Sequence, residues 1–407
     1  MQTHQPSLDT PVDEQPETLQ PAYWSGVFAM SLCVFALIAS EFMPVSLLTP
    51  IASAFTVYEG LVGQGIAISG ALAVITSLFI PVIAGGLDRK YLLLGMTALM
   101  GVSGAVIALS GNYFTYMLGR ALIGVVVGGF WSMSAAAAMR LVPAHKVPRA
   151  LAIFNGGNAL ALIVAAPLGA YLGAVMGWRG AFFCLVPLSV IAFAWQWRSL
   201  PLMPAEPSAH KGNPALQVIG LLSRRHVFIG SLAVGTFFMG QFVLYTYLRP
   251  FLESALGASV QTISTILLIM GAAGFVGTSL VNRVLAKSVN NTLIVIPVLM
   301  ALVAVLIISM QGAFIPVVIL LAIWGFIATA APVGWWAWLT HNLPNDAEAG
   351  GGLLVAVIQL SIALGSTLGG LLFDMSGYVP TFAVSAAILT VAAALAYAAA
   401  RSLKRAI

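Results

Sequence analysis

Long apolar runs, separated by short polar punctuation, recur along the whole of the 407-residue chain. Each run is about 20 residues, the length at which a helix crosses a hydrocarbon layer about 30 Å thick. Twelve stand out, at 24–53, 63–85, 91–110, 114–140, 149–174, 180–198, 226–250, 261–284, 292–310, 314–340, 350–373 and 379–400. The pattern predicts an all-α integral membrane protein with twelve transmembrane helices. The polar intervals divide it into a tail (1–22), a first six-helix bundle (23–199), a linker (200–225), a second six-helix bundle (226–401) and a short end (402–407).

The tail is rich in Pro, Gln and Thr and carries Asp9, Asp13, Glu14 and Glu17 but no Lys or Arg, so it predicts disorder rather than a secretory signal. In the linker, "ALQVIGLLSRR" predicts a short amphipathic helix along the membrane surface. The two bundles repeat each other at an offset of 200. "SEFMPVSLLTP" returns as "GQFVLYTYLRP", which sets Glu41, Phe42 and Pro50 on Gln241, Phe242 and Pro250. "PLGAYLGAVMGWRGAF" returns as "TLGGLLFDMSGYVPTF", which sets Gly169 and Gly177 on Gly369 and Gly377. Two pseudo-symmetric bundles with a site between them near the midplane are the architecture of secondary transporters.

Composition agrees with the pattern. Hydrophobic residues make up 60% and charged residues 7%, against about 25% charged in soluble domains. An ordinary soluble enzyme is excluded. If both termini are cytoplasmic, the loops on that side and the C-terminal end hold fourteen of the seventeen Lys and Arg residues, which fixes the orientation. Arg179 and Arg249 fall outside, and Arg120 lies within a helix. The net charge of +5 is therefore a topology signal, and no nucleic-acid partner is implied. Cys33 and Cys184 sit in apolar runs and predict no disulfide. The chain has no phosphate-binding GxxxxGK[ST], no HExxH and no metal-spaced Cys/His cluster, so neither ATP-driven pumping by a single chain nor enzyme chemistry is indicated. No cofactor and no metal are expected. The expected partners are a small-molecule substrate, protons and the bilayer, with the chain a monomer.

Glu41 breaks the apolar pattern, with no other charge between Trp24 and Tyr58. A charge at the bilayer centre costs about 2.5–3.5 kcal/mol on insertion scales. Such a carboxylate persists if it is paired, faces water, or is protonated for part of a cycle. It is either a fixed ion pair holding helices together or a proton-carrying site. Low polarity favours the neutral acid and a nearby cation the carboxylate, so moving a partner switches proton affinity. The candidate partner is Arg120 in "YMLGRALIGVVVGGFW", which projects within about 80° of Gly124, Gly128 and Trp131. Pro44 and Pro50 suggest a break in the helix after Glu41 that would free carbonyls for a cavity, or simple kinks.

At "EFMPVSLL", "APLGAYLG" and "GWRGAF" the chain resembles the major facilitator superfamily, in its branch of sugar-efflux-type proton antiporters. "GGFWSMSA", "MRLVP", "PVGWWAW" and "VAVIQL" are similar to bacterial purine ribonucleoside efflux pumps. The resemblance implies the major facilitator fold, proton-coupled export by alternating access, and a bacterial cytoplasmic (inner) membrane. It implies that Arg120 takes part in proton transfer and that Pro167 and Gly169 belong to an antiporter motif. Asp88 and Arg89 match a gating motif shortened here to "GGLDRK", and Ala166 replaces a usual glycine.

For the substrate the chain offers aromatic faces and neutral amides. Trp324, Trp335 and Trp338 share one helical face, and Phe130, Trp131, Phe242, Tyr245 and Trp336 are further candidates. Base–aromatic stacking contributes about 1–3 kcal/mol per base, although tryptophans in membrane helices commonly serve packing or the interface. Asn158 and Gln359 occupy nearly equivalent repeat positions, and Gln241 stands where the first half has Glu41. Amides donate and accept, so they can read hydroxyls or a base edge. From the residues alone, nucleosides, sugars and planar drugs stay open, as do uptake and facilitated diffusion.

Overall fold

The computed structural model of the chain describes residues 21–83, 86–204, 220–343 and 347–404. The first half contains α1 (Trp24–Phe55), α2 (Glu59–Ile83), α3 (Arg89–Ala108), α4 (Tyr113–Arg140), α5 (Val147–Phe183) and α6 (Leu185–Ser199). The second contains α7 (Arg225–Tyr245), α8 (Leu248–Leu256), α9 (Val260–Leu285), α10 (Val289–Ser309), α11 (Phe314–Ala328), α12 (Ala331–Asn342), α13 (Ala347–Ser376) and α14 (Tyr378–Lys404).

Local chemistry sets these boundaries. Asn112, Ser259 and Ser288 cap α4, α9 and α10 by accepting from the amides of Thr115, Thr262 and Asn291. α1 stops where Thr56 turns left-handed at φ 55°, and α8 stops at Gly257, φ 58°. Eleven segments are long and apolar enough to span a membrane, but one of them, Arg149–Ser199, has 51 residues. A straight helix of that length would measure about 77 Å, more than twice the layer. It turns at Gly177, whose φ of 77° and ψ of 161° are not helical, and so crosses twice. The described residues therefore make twelve crossings. Gly377, its repeat partner, takes φ 76° between α13 and α14.

Two expectations are corrected, and of the two readings left open at Pro44 and Pro50 the break in α1 is not formed. The seventh crossing is divided between α7 and α8, and the tenth between α11 and α12. The tenth breaks where Thr329 Oγ1 donates to the Gly274 carbonyl at 2.7 Å. α1, in contrast, runs unbroken through Pro44 and Pro50. The reason lies in how its freed carbonyls are used, described below. The tail expected over 1–22 falls outside the described residues up to position 20; so do 205–219 of the linker, with the first five residues of its expected surface helix, and 405–407.

Each half has its own interior. Leu37, Phe130 and Phe154 centre the first, and Phe237, Trp324 and Phe382 the second. Glycine lets backbones touch: a Cβ at Gly128 of α4 would overlap the Ala73 carbonyl of α2. The outward face of α10 exposes Val295, Val298, Leu302 and Val305 at helical spacing, a stripe suited to lipid. The start of the linker folds back on the first half. Asp88 Oδ1 accepts from the amides of Lys90 (2.8 Å) and Met203 (3.0 Å), and Arg89 N donates to the Met203 carbonyl.

Candidate functional site

Glu41 lies midway along α1 and is 4% exposed. Its Oε1 accepts from Gln359 Nε2 of α13 at 3.1 Å, a bond between the two halves. Arg120 of α4, wholly buried, donates through Nε to the Gly65 carbonyl of α2 at 3.0 Å. Its Nη1 donates to the Ser40 carbonyl at 2.9 Å and its Nη2 to the Glu41 carbonyl at 3.1 Å. The Ser40 carbonyl would ordinarily accept from the amide of residue 44, but Pro44 has none. Arg120 supplies the missing donor, and one guanidinium joins α1, α2 and α4. The expected side-chain pairing of Glu41 with Arg120 is thus replaced by a backbone one, and the side chain that reaches the carboxylate is Gln359.

The arrangement occurs twice. Pro50 likewise leaves the Ser46 carbonyl without a helical donor, and Arg249 Nη1 of α8 donates to it from the opposite half. Arg249 is 5% exposed and its Nε donates to Glu253 Oε1 at 2.8 Å. Arg249, expected outside, lies at the end of the molecule away from the termini, and there it is buried at the interface of the two halves. These two arginines explain the unbroken α1: the carbonyls freed by proline are satisfied by guanidinium groups, with no cavity needed.

Other contacts join the halves at the ends of the helices away from the termini. Gly60 N donates to Asp374 Oδ1 at 2.9 Å, and Thr367 Oγ1 to Gln64 Oε1 at 3.1 Å. Phe42 meets Phe242, which in turn lies 5.8 Å from the Tyr245 ring. In α5, Pro167 frees the Ile163 carbonyl, and it is against Ile163 that Gly271 of α9 packs. Gly169 sits so close to α1 that a Cβ there would come within 2.6 Å of Ser46 Oγ.

The structure brings Glu41, Arg120 and Gln359 together, with Phe42, Phe242 and Tyr245 at the same interface. Gln241 is half-buried and its Oε1 has no protein partner. Trp131 and Asn158 are half-buried, with Trp131 edge-on to Phe154 at 6.1 Å. Phe130 and Trp335 are enclosed in the cores of their halves, and Trp336 is 42% exposed. Trp324 and Trp338 are buried with Trp335. Asp88 and Arg89 lie at the far end of the first half, on the linker rather than at the centre. Sequence reasoning missed the Ser46–Arg249 bond. The signal was present: a proline in a membrane helix leaves a carbonyl four residues earlier that needs a donor, and lone arginines are the donors able to reach it.

Two six-crossing bundles meeting around a buried polar centre define a membrane transporter, and the comparisons with known proteins agree. The model of the Major Facilitator Superfamily matches residues 30–351. A Pseudomonas aeruginosa protein named transcription regulatory protein OpdE is 61% identical over 396 residues, which is 97% of this chain and 98% of its own. The purine ribonucleoside efflux pump NepI of Salmonella enteritidis is 39% identical over 370 residues, 91% of this chain and 92% of its own. Among solved structures, an inward-facing, unoccupied bacterial homolog of the human lysosomal transporter Spinster superposes with a TM-score of 0.77 at 14% identity. It covers 95% of this chain and 98% of its own. The nucleoside transporter NupG gives 0.73 at 13%, covering 91% and 99%. At those identities the likeness carries the fold alone. The chain belongs to the Major Facilitator Superfamily and is a multi-pass membrane transporter of small molecules.

Proposed function

We propose that the protein exports purine ribonucleosides in exchange for protons by alternating access. One observation carries the reading: a carboxylate at the centre of the molecule is held by an uncharged amide of the opposite half. Glu41 is the proton-carrying group, because Arg120 cannot release its own proton in practice. Phe242 and Tyr245, Trp131 and Trp336 supply aromatic surface for a flat base, and Gln241, Gln359 and Asn158 supply amides. The purine class follows from the 39% identical efflux pump. A proton entering down one pH unit yields about 1.4 kcal/mol, and 100 mV adds about 2.3 per charge. In this reading the chain acts as a monomer in a bacterial cytoplasmic membrane, and the excess of basic residues in the loops on the side of the termini supports an orientation with both termini inside.

The regulatory name of the 61% identical relative fits the same reading. An exporter that sets the internal level of an inducing solute alters transcription without touching DNA.

The test is transport in liposomes. Purified protein is expected to move labelled inosine, adenosine or guanosine against its gradient when an opposing proton gradient is imposed. Net accumulation that survives an uncoupler would refute the coupling. Transport of arabinose or a cationic dye in place of nucleosides would refute the substrate.

A further inference from the structure

Gln359 reaches Glu41 from the opposite half of the molecule, and only one end of its amide is engaged. Nε2 donates to the Glu41 carboxylate, whereas Oε1 is buried with no protein partner in a side chain that is 6% exposed. A buried polar atom without a partner is uncommon and calls for an explanation. The chemistry of the pair provides one. A carboxylate only accepts, so it binds the N–H end of an amide; a carboxylic acid carries an O–H, which binds the carbonyl end. Rotating the amide about its last side-chain bond exchanges these ends with almost no change of shape.

We propose that Gln359 is a positioning residue through which the second half reads the proton on Glu41, and that proton and substrate compete for Gln359 Oε1. While Glu41 is ionised, Nε2 holds the carboxylate and Oε1 accepts from an N–H or O–H of the ligand. When Glu41 takes up a proton, its new O–H donates to Oε1, and the ligand loses its acceptor. Only a proton is gained or lost, at Glu41. Binding of substrate to the ionised form and its release on protonation is the order that antiport requires. The ligand class is a solute with a hydrogen-bond donor, as the base N–H groups and ribose hydroxyls of purine nucleosides provide. Gln241 Oε1, also buried and unpartnered, favours the same polarity. The inference rests on the reading of Glu41 as the proton carrier.

Few other groups can confuse the titration. α4 presents Arg120 and Tyr116 to this region, and α8 presents Arg249, paired with Glu253. α13 has its Asp374 at the other end of the interface, on Gly60. α2, α3, α5 and α6 carry Glu59, Arg89 and Lys90, Arg149 and Arg179, and Arg198 at or near their ends. α7 adds Tyr245, and Arg225 and His226 at its start.

The test combines infrared difference spectroscopy between high and low pH with inosine binding. The carbonyl band of protonated Glu41 is the one lost in Glu41→Gln. In Gln359→Leu and in Gln359→Met that band should move to higher frequency, because the acid has lost its acceptor. Inosine affinity in the wild type should fall about tenfold per pH unit below the transition. In both Gln359 variants it should be at least tenfold weaker at high pH and insensitive to pH. An unshifted band, or wild-type pH dependence of binding in folded Gln359 variants, overturns the proposal while leaving Glu41 as the carrier. A pH response that persists in Glu41→Gln overturns the reading of Glu41 itself, and the proposal with it.

Discussion

Phe42 of α1 and Phe242 of α7, 200 positions apart in the sequence, face each other with ring centroids 5.8 Å apart. They are the same residue of the repeated unit, so their contact marks where the two halves meet about their pseudo-twofold relation. The correspondence extends outward. Gly169 packs against Met43, and Gly369 packs against the Val243 carbonyl. The residues just before the two phenylalanines are where the halves diverge: Glu41 in the first and the neutral Gln241 in the second. A duplicated scaffold has thus kept its packing here and placed a carboxylate at this repeat position in the first half only.

The first prediction follows from that asymmetry. Glu41→Gln retains the size of the side chain and a carbonyl oxygen for Gln359 Nε2, but cannot titrate. The variant should fold and exchange substrate across liposomes at rates within a few-fold of wild type, yet lose proton-driven accumulation. Its transport should not vary with pH in the range where that of the wild type does. Accumulation driven by a proton gradient in this variant would move the carrier role elsewhere, with Asp374 the next carboxylate to test.

The second concerns Arg120 and Pro44. Arg120→Met removes three hydrogen bonds and leaves the Ser40 carbonyl, whose helical donor Pro44 lacks, without a partner; hydrogen bonds from a charged donor contribute about 1.5–3 kcal/mol each. The variant should lose at least about 2 kcal/mol of stability in detergent. Pro44→Ala restores a helical N–H to Ser40, so Arg120→Met should cost about 1 kcal/mol less in that background. Strict additivity of the two substitutions would mean that the proline and the arginine are not coupled through this carbonyl. Glu41→Gln leaves all three carbonyl bonds in place, so any coupling it shows with Arg120→Met in a double-mutant cycle on stability measures the charge–charge part of the contact alone.

Much of this was legible in the sequence, because lipid leaves few choices. Apolar runs of fixed length must be helices, and the offset of 200 residues survives in three dimensions as the matched left-handed glycines, Gly177 and Gly377. Glu41 and Arg120 were legible as neighbours because a charge in an apolar helix needs a reason. What the sequence did not reveal was which atoms meet. Pro44 reads as a kink, and only the fold shows its freed carbonyl taken by a guanidinium on another helix. Gln359 and Gln241 read as equivalent amides, and only the packing shows that the first is on Glu41. The tryptophans share a helical face on paper, but the tenth crossing breaks at Thr329 and three of them turn into the core.

The third prediction separates neighbouring tryptophans. Trp335 is 2% exposed and Trp336 is 42% exposed. Trp335→Ala should open a cavity and destabilise by about 3–5 kcal/mol, with any loss of transport following the loss of folded protein. Trp336→Ala should leave the thermal transition within about 1 °C, because an exposed ring contributes little to stability. If Trp336 stacks a base, inosine binding should weaken by about tenfold, while Trp336→Phe retains most of it. Unchanged binding in Trp336→Ala would assign that ring to the lipid or linker side.

The last prediction concerns closure of the end of the molecule away from the termini. Arg249 holds the Ser46 carbonyl of the opposite half while paired to Glu253, and the bond exists because Pro50 removes the helical donor. Asp374 on Gly60 and Thr367 on Gln64 lie along the same seam. For the substrate to leave on that side, all of these contacts must break together, so each one biases the molecule toward the conformation seen here. Arg249→Met removes the guanidinium and leaves the Ser46 carbonyl buried and unpaired, which costs about 1–3 kcal/mol in the closed form only. The population open at that end should therefore rise by about tenfold or more. Labelling by a membrane-impermeant thiol reagent of a cysteine placed at Thr367, with Cys33 and Cys184 replaced, should accelerate to match. Asp374→Asn, which keeps a carbonyl acceptor for Gly60 N, should accelerate it much less. Equal labelling rates in wild type and Arg249→Met would show that the arginine only packs the interface and that the closed end is held by other contacts.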